Sequence, residues 1–234
     1  MEYRDVLQSL EKSGTEQARK IYTNHGADIP LFGVSMKDLK VLAKKIKTNH
    51  ELGTKLLFSN NVDAIYLSRW IVDPKQIRRS ELEAILISTN YYMIIDNVVA
   101  HIAASDYKLA KECLEKWQFH ENSTFRQAAY SLYTLILTTY DNNKIDLDNV
   151  EKTIYFIKDN IHDESNRVRY SMNGFIIASG IYIPTLTSLS KEVSEYIGKV
   201  KVYMGKTSCK VPYAKKYIEK VESMNKIGFK RKLT

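Results

Sequence analysis

Cysteine, glycine and proline are scarce in this sequence of 234 residues, which has two cysteines, nine glycines and four prolines. The two thiols, Cys113 and Cys209, could pair in principle. In a chain of this length, however, they are typical of reduced intracellular residues rather than of a disulfide framework. Neither lies beside a second Cys or a His at ligand spacing, so no structural zinc site is expected.

Long apolar runs are also missing. No run approaches the roughly 20 residues that a membrane-spanning helix needs. The first residues, "MEYRDVLQSLEKSG", carry charge where a secretory signal has an apolar segment. These features predict a cytoplasmic protein with no membrane partner.

Motifs of catalytic and cofactor sites are absent as well. The sequence contains no nucleophile motif, no HExxH or CxxC pattern and no phosphate-binding glycine loop. The segment "GKTSC" at 205–209 lacks the first glycine of a Walker motif, because residue 200 is Val. We therefore expect neither a metal nor a cofactor.

The net charge of +8 is unevenly distributed. From Lys199 onward there are eleven Lys or Arg against two acidic residues, a charge of +9, so the preceding part of the chain carries −1. Such a basic segment favours a polyanionic partner, usually nucleic acid, although a solvated tail would explain it as well.

The sparse Gly and Pro residues separate segments of helical periodicity, which predicts an all-α protein. Ser35 fits an N-cap for a helix over "MKDLKVLAKKI". The segment "GKVKVYMG" at 198–205 alternates like a short extended piece. Further helices are predicted at about 50–58, 61–73, 79–88, 90–104, 106–118, 123–140, 147–161, 165–180, 183–196 and 211–223.

Two joints between helices resemble each other: "HENSTFRQAAYSLYTLIL" and "HDESNRVRYSMNGFIIASG". Both contain an acid, Asn or Ser, an apolar residue and Arg before a helix of small and apolar residues, as HEAT-type repeats do. We expect a HEAT-like helical repeat solenoid with a concave basic face, forming one domain over 1–234 with a basic capping segment from about 199. An irregular helical bundle is the alternative.

The segment "TNYYMIIDNVVAHIAAS" at 89–105 places a carboxylate, Asp96, among apolar residues. Tyr92 lies one helical turn earlier, so both side chains can face one pocket. An aromatic ring and a carboxylate together suit a delocalised cation, such as an alkylated purine or an oxocarbenium-like sugar. The alternative is structural: Asp96 pairs with an arginine such as Arg126, and Tyr92 belongs to the core.

Several segments together resemble the AlkD-like DNA alkylation repair proteins, which are HEAT-like repeat alkylpurine DNA glycosylases. They are "LFGVSMKDLKVLAKKI", "YLSRWIVD", "YYMIIDNVV", "FRQAAYSL" and the tail "GKVKVYMGKTSCKVPYAKKYIEKV". The resemblance covers nearly the whole chain. It implies that Asp96 is the catalytic carboxylate and that Tyr92 packs against the lesion.

The sequence also departs from that family's pattern. Tyr91 and Tyr92 stand where the family has Trp, and Met93 replaces its first Asp. Gln127 occupies the place of a pocket Arg, with Arg126 one residue earlier, and Phe175 is the nearest aromatic to a later pocket Trp. Under the resemblance, the remaining DNA-contact candidates are Arg167, Arg169, Lys206, Lys210, Lys215 and Lys216.

Three functions stay open on the sequence. The first is a nucleoid-associated monomeric glycosylase that hydrolyses the N-glycosidic bond of N3- or N7-alkylated purines in duplex DNA. The second is a non-catalytic HEAT module that binds damaged or branched DNA through its backbone. The third is a protein-binding solenoid, which leaves the basic excess unexplained.

Overall fold

The protein is all-α, as predicted. A computed structural model describes residues 1–233, and the one β pairing in that range is an isolated antiparallel bridge between Gly14 and Val34. The helices are α1 Tyr3–Ser13, α2 Glu16–Asn24, α3 Met36–Ile46, α4 His50–Leu57, α5 Val62–Ser68, α6 Arg79–Ser88, α7 Tyr92–Ala104, α8 Tyr107–Trp117, α9 Ser123–Thr139, α10 Leu147–Asn160, α11 Asn166–Tyr182, α12 Thr187–Ile197 and α13 Ala214–Ser223.

Side-chain caps define many of the helix starts. Ser35 accepts a hydrogen bond from the backbone N–H of Asp38, which confirms its predicted capping role. Asn61, Asn122 and Asp146 cap α5, α9 and α10 in the same way. These caps satisfy backbone N–H groups that have no partner within the helix.

The chain folds as two compact units. The first comprises Met1–Cys113 and Met204–Ser208, and the second comprises Leu114–Tyr203 and the chain from Cys209 onward. The first unit centres on α5, all of whose residues are buried. In the second unit α9 packs along α11. The single domain over 1–234 stays a prediction.

A buried carboxylate holds the Phe-Gly-Val joint of the first unit. Asp63, on α5, accepts hydrogen bonds from the backbone N–H groups of Phe32 (2.6 Å), Gly33 (3.1 Å) and Val34 (2.8 Å). A loop segment therefore obtains inside the core the hydrogen bonds that secondary structure would otherwise provide.

One sequence prediction was wrong in detail. The helix expected over 61–73 ends at Ser68, and Pro74 disfavours a helical conformation for the residue before it.

The segment expected to be extended at 198–205 belongs to no helix beyond Gly198 and pairs with no strand among the described residues. Instead, the Asn166 side chain donates to the carbonyl of Tyr203 (2.9 Å) and accepts from its N–H (2.7 Å), so a side-chain amide replaces a strand partner.

Among the described residues, no single helix is both long and apolar enough to cross a bilayer. The segments Asn166–Tyr182 and Pro184–Ile197 reach that composition only as a pair bent by 115°.

Candidate functional site

The candidate carboxylate lies on an irregular turn of α7. Residues Ile95–Val99 form a π-helical turn, closed by a hydrogen bond from the N–H of Ala100 to the carbonyl of Ile95. Such turns are rare and occur often at functional sites. Asp96 is on this turn, and it is half-buried.

The two sides of α7 differ in burial. Ile94, Ile95, Val98 and Val99 are all fully buried and fix the helix in the first unit. The half-buried side carries Tyr92, Met93, Asp96 and Asn97. Tyr92 and Asp96 therefore do share one partly exposed side, as their spacing predicts.

Cationic and aromatic groups surround this turn. Arg69 donates from Nη1 to the carbonyl of Asn97 (2.6 Å), and its guanidinium lies 4.3 Å from the centre of the Trp70 ring. Burial lowers the pKa of Arg69 to about 10, which leaves the group charged at neutral pH. Burial also raises the pKa of Tyr66 far above its usual range, and the charge of Asp96 adds to that increase.

His101 follows the π-helical turn on the same helix. Its Nδ1 lies 3.3 Å from the carbonyl oxygen of Asp96. Burial, followed by the charge of Arg69, lowers the pKa of His101 to about 4. His101 is therefore neutral at pH 7 and adds no positive charge near Asp96.

The paired tyrosines have different environments. Tyr91 is 1% exposed, and its hydroxyl donates to Sδ of Met93 (3.0 Å). The Tyr92 hydroxyl is hydrogen-bonded to Nδ1 of His25. His25 was not predicted as a site residue, because it lies at the end of α2, 67 residues from Tyr92 along the chain.

Arg126 has a structural partner in the second unit. Its Nε and Nη2 bind the two carboxylate oxygens of Glu164 at 2.7 and 2.8 Å, and its Nη1 donates to the carbonyls of His120 and Glu121, both at 2.7 Å. Hydrogen bonding to Glu164 raises the pKa of Arg126. Glu164 and Arg126 come from the two similar joints, so this ion pair connects consecutive repeats.

Gln127 and Phe175 are core residues. Gln127 is 4% exposed, and Phe175 is fully buried, with its ring centre 4.8 Å from that of Tyr133. In this structure neither offers appreciable surface to a ligand. Their positions follow from the close packing of α9 against α11.

Arg167 and Arg169 lie in the first turn of α11, and both are half-buried. The Nε of Arg169 is buried and has no hydrogen-bond partner within residues 1–233. The role of these arginines in DNA contact stays a prediction.

The C-terminal lysines predicted to contact DNA differ in whether they pair with a carboxylate. Lys206, Lys210 and Lys216 are exposed, and none forms a salt bridge with the part of the chain that the structure describes. Lys215 pairs with Glu195 at 2.7 Å, which raises its pKa. Of these four lysines, the three outside this pair are open to solvent.

Comparison with known proteins supplies the family. A model of the family described as DNA alkylation repair enzyme matches residues 6–218. The chain belongs to this family. Two relatives from Listeria carry no assigned function in their names. Lin0241 of L. innocua is 34% identical over 93% of this chain and 94% of its own length. Lmo0209 of L. monocytogenes is 33% identical over 94% of this chain and 96% of its own length.

A solved structure confirms the HEAT-like fold. It is described as a new family of proteins related to the HEAT-like repeat DNA glycosylases, with affinity for branched DNA structures. It matches with a TM-score of 0.92 and 31% identity over 99% of this chain and 98% of its own. The HEAT-like all-α fold predicted for this alkylation repair family member is therefore correct, and the concave basic face stays a prediction.

Because the chain belongs to the DNA alkylation repair enzyme family, the positions at which it departs from that family's pattern bear on its function. Of the residues that the resemblance assigns to the lesion site, Asp96 and Tyr92 are half-buried on one side of α7. Tyr91, Gln127 and Phe175 are buried. Asp96 and Tyr92 are therefore partly accessible in the first unit, and the assignment of the other residues to a lesion site stays a prediction.

Proposed function

We propose that this protein binds branched DNA through phosphate contacts and does not excise bases. The observation that carries the proposal concerns the residues that the resemblance assigns to the lesion site: Tyr91 and Phe175 are buried, and Arg126 is held by Glu164. These three side chains are therefore not available to bind an alkylated base. The affinity for branched DNA in the description of a relative 31% identical supports the same function.

The basic residues suit this role. Exposed lysines bind phosphates without reading base sequence, and a branched structure is recognised by where its backbones lie. Lys206, Lys210 and Lys216 supply such contacts, and they lie in the segment that holds the whole positive excess. A DNA partner of this kind would also place the protein at the nucleoid.

A second candidate function is hydrolysis of the N-glycosidic bond of alkylated purines. Asp96 favours it, because this carboxylate is half-buried beside Tyr92 on the π-helical turn. A carboxylate there would stabilise the sugar cation that develops as the bond breaks, while the lesion's own charge makes the base a good leaving group.

Base release separates the two functions. Duplex and four-way-junction DNA, each containing N7-methylguanine, are incubated with the natural protein and with Asp96→Asn. We expect no release from either protein, with junction binding retained in both. Release by the natural protein that is lost in Asp96→Asn would replace the proposal with the glycosylase.

A further inference from the structure

The described residues that follow α13, 224–233, form a C-terminal tail that completes a pocket in the second unit, and this pocket was not predicted. The pocket lies between α9, α11, α13 and the tail, with a cavity volume of about 460 Å³. A second hollow of about 310 Å³ adjoins it and shares Tyr182, Tyr217 and Arg231. We call the larger hollow the tail pocket.

The tail is held in place by groups at two helix ends. The N–H of Gly228 donates to the carbonyl of Ile181 (2.7 Å), and the N–H of Arg231 donates to that of Thr138 (2.9 Å). Lys230 Nζ donates to the carbonyl of Leu137 (2.6 Å). Carbonyls in the last turn of a helix lack helical partners and attract cations, so the tail docks at a defined place.

Gly228 is required for this course of the chain. Its φ of +83° is strained for other residues, and a Cβ there would approach Cγ of Pro184 to 3.1 Å. The turn at Gly228 leads the chain back over the helix ends and brings Arg231 to the wall of the tail pocket.

The lining of the tail pocket combines cations with aromatic rings. Lys210 and Arg231 are exposed, and the guanidinium of Arg231 lies 5.7 Å from the ring centre of Tyr182. Tyr217 is 43% exposed, and Tyr170 also lines the wall. No Asp or Glu lines either hollow within the described residues.

Gly174 leaves the floor of the tail pocket open. Glycine in the middle of a helix costs about 1 kcal/mol relative to alanine. Packing does not require it here, because the nearest atom to an added Cβ would be Oγ1 of Thr134 at 3.9 Å, an ordinary contact. A longer side chain at 174 would enter the space that the tail and α11 enclose.

We infer that the tail pocket receives one unpaired nucleotide at the branch point of DNA. The inference rests on the proposed function, since a branch is where such a nucleotide occurs. Lys210 and Arg231 suit its phosphate, and the rings of Tyr170 and Tyr217 suit the exposed face of its base. A base inside a duplex is covered on both faces by its neighbours and cannot stack on these rings.

The test uses two four-way junctions that differ in one position. One is fully paired, and the other carries a single unpaired 2-aminopurine at the branch. The dissociation constants of the natural protein, Gly174→Leu and Gly174→Ala are measured at one salt concentration. Leucine extends into the pocket and narrows it and is a better helix former than glycine, while alanine adds only a methyl group.

We expect the natural protein and Gly174→Ala to bind the junction with the unpaired base about tenfold more tightly than the paired one. One base–aromatic stacking interaction produces an affinity difference of about this size. Gly174→Leu should lose this preference and keep its affinity for the paired junction. The 2-aminopurine fluorescence should fall on binding, and less so in Tyr217→Ala.

Different results would contradict the tail-pocket inference and the proposed function. Equal affinity of the natural protein for the two junctions, or a preference retained in Gly174→Leu, would overturn the tail-pocket inference and leave junction binding intact. Binding of neither junction above a linear duplex would instead contradict the proposed function.

Discussion

Arg126 and Glu164 form a bidentate ion pair, with distances of 2.7 Å between Nε and Oε1 and 2.8 Å between Nη2 and Oε2. Both side chains are largely shielded, at 21% and 12% exposed. The remaining Nη1 of Arg126 binds two backbone carbonyls, so the guanidinium acts within the fold. We therefore expect Arg126 to stabilise the fold rather than to contact DNA.

Arg126→Ala should therefore lower the free energy of unfolding by about 3 kcal/mol, since it leaves a shielded carboxylate without its partner. Urea unfolding measures this change, and the double variant with Glu164→Ala should recover part of the loss. Junction affinity of the folded variant should be unchanged. A large loss of affinity with normal stability would contradict the structural role.

Asp63→Ala should be among the most destabilising substitutions in the first unit. It leaves the N–H groups of Phe32, Gly33 and Val34 without an acceptor, and each unsatisfied buried group costs about 1–3 kcal/mol. We expect a total loss of more than about 3 kcal/mol in thermal or urea unfolding. Asp38→Ala, which removes an exposed carboxylate that accepts from the Ser35 hydroxyl, is the control and should change stability little.

The sequence predicted the elements well because helical periodicity is local. The helix over α3 and the cap at Ser35 match, as does the shared side of Tyr92 and Asp96. The helix expected over 61–73 was too long, because continuous burial of apolar residues hides where a short helix ends.

Long-range partners could not be predicted from the sequence. His25 and Tyr92 are 67 residues apart along the chain, and Arg126 and Glu164 are 38 apart. No periodic pattern links such positions. Glu164 was not predicted from the sequence as the partner of Arg126.

Stability should fall in mild acid because of His101. Its pKa in the folded protein is about 4, against an ordinary value near 6.5, so below pH 6.5 the unfolded chain binds a proton that the folded protein does not. The stabilisation is complete above pH 6.5 and is lost as the pH falls toward 4, by about 1.4 kcal/mol per unit.

His101→Asn should remove this part of the pH dependence. Urea unfolding at pH 7, 6, 5 and 4 should give a shallower profile for the variant than for the natural protein. Parallel profiles would show that His101 titrates alike in the folded and unfolded states.

The C-terminal lysines should set the salt dependence of DNA binding. Replacing Lys206, Lys210 and Lys216 together with alanine should weaken binding to all DNA forms and reduce the slope of log affinity against log salt by about 3, roughly one unit per phosphate contact. The control replaces Lys12, Lys44 and Lys152, which are equally exposed but lie outside the basic segment. Equal loss in both triple variants would show that only net charge matters.

The most direct test of branched-DNA binding compares the dissociation constants of the natural protein for a four-way junction and a linear duplex of the same length and sequence, at about 0.15 M salt. Our account predicts that the junction is bound at least about tenfold more tightly, a difference of about 1.4 kcal/mol. Equal affinity for the two DNAs would contradict it.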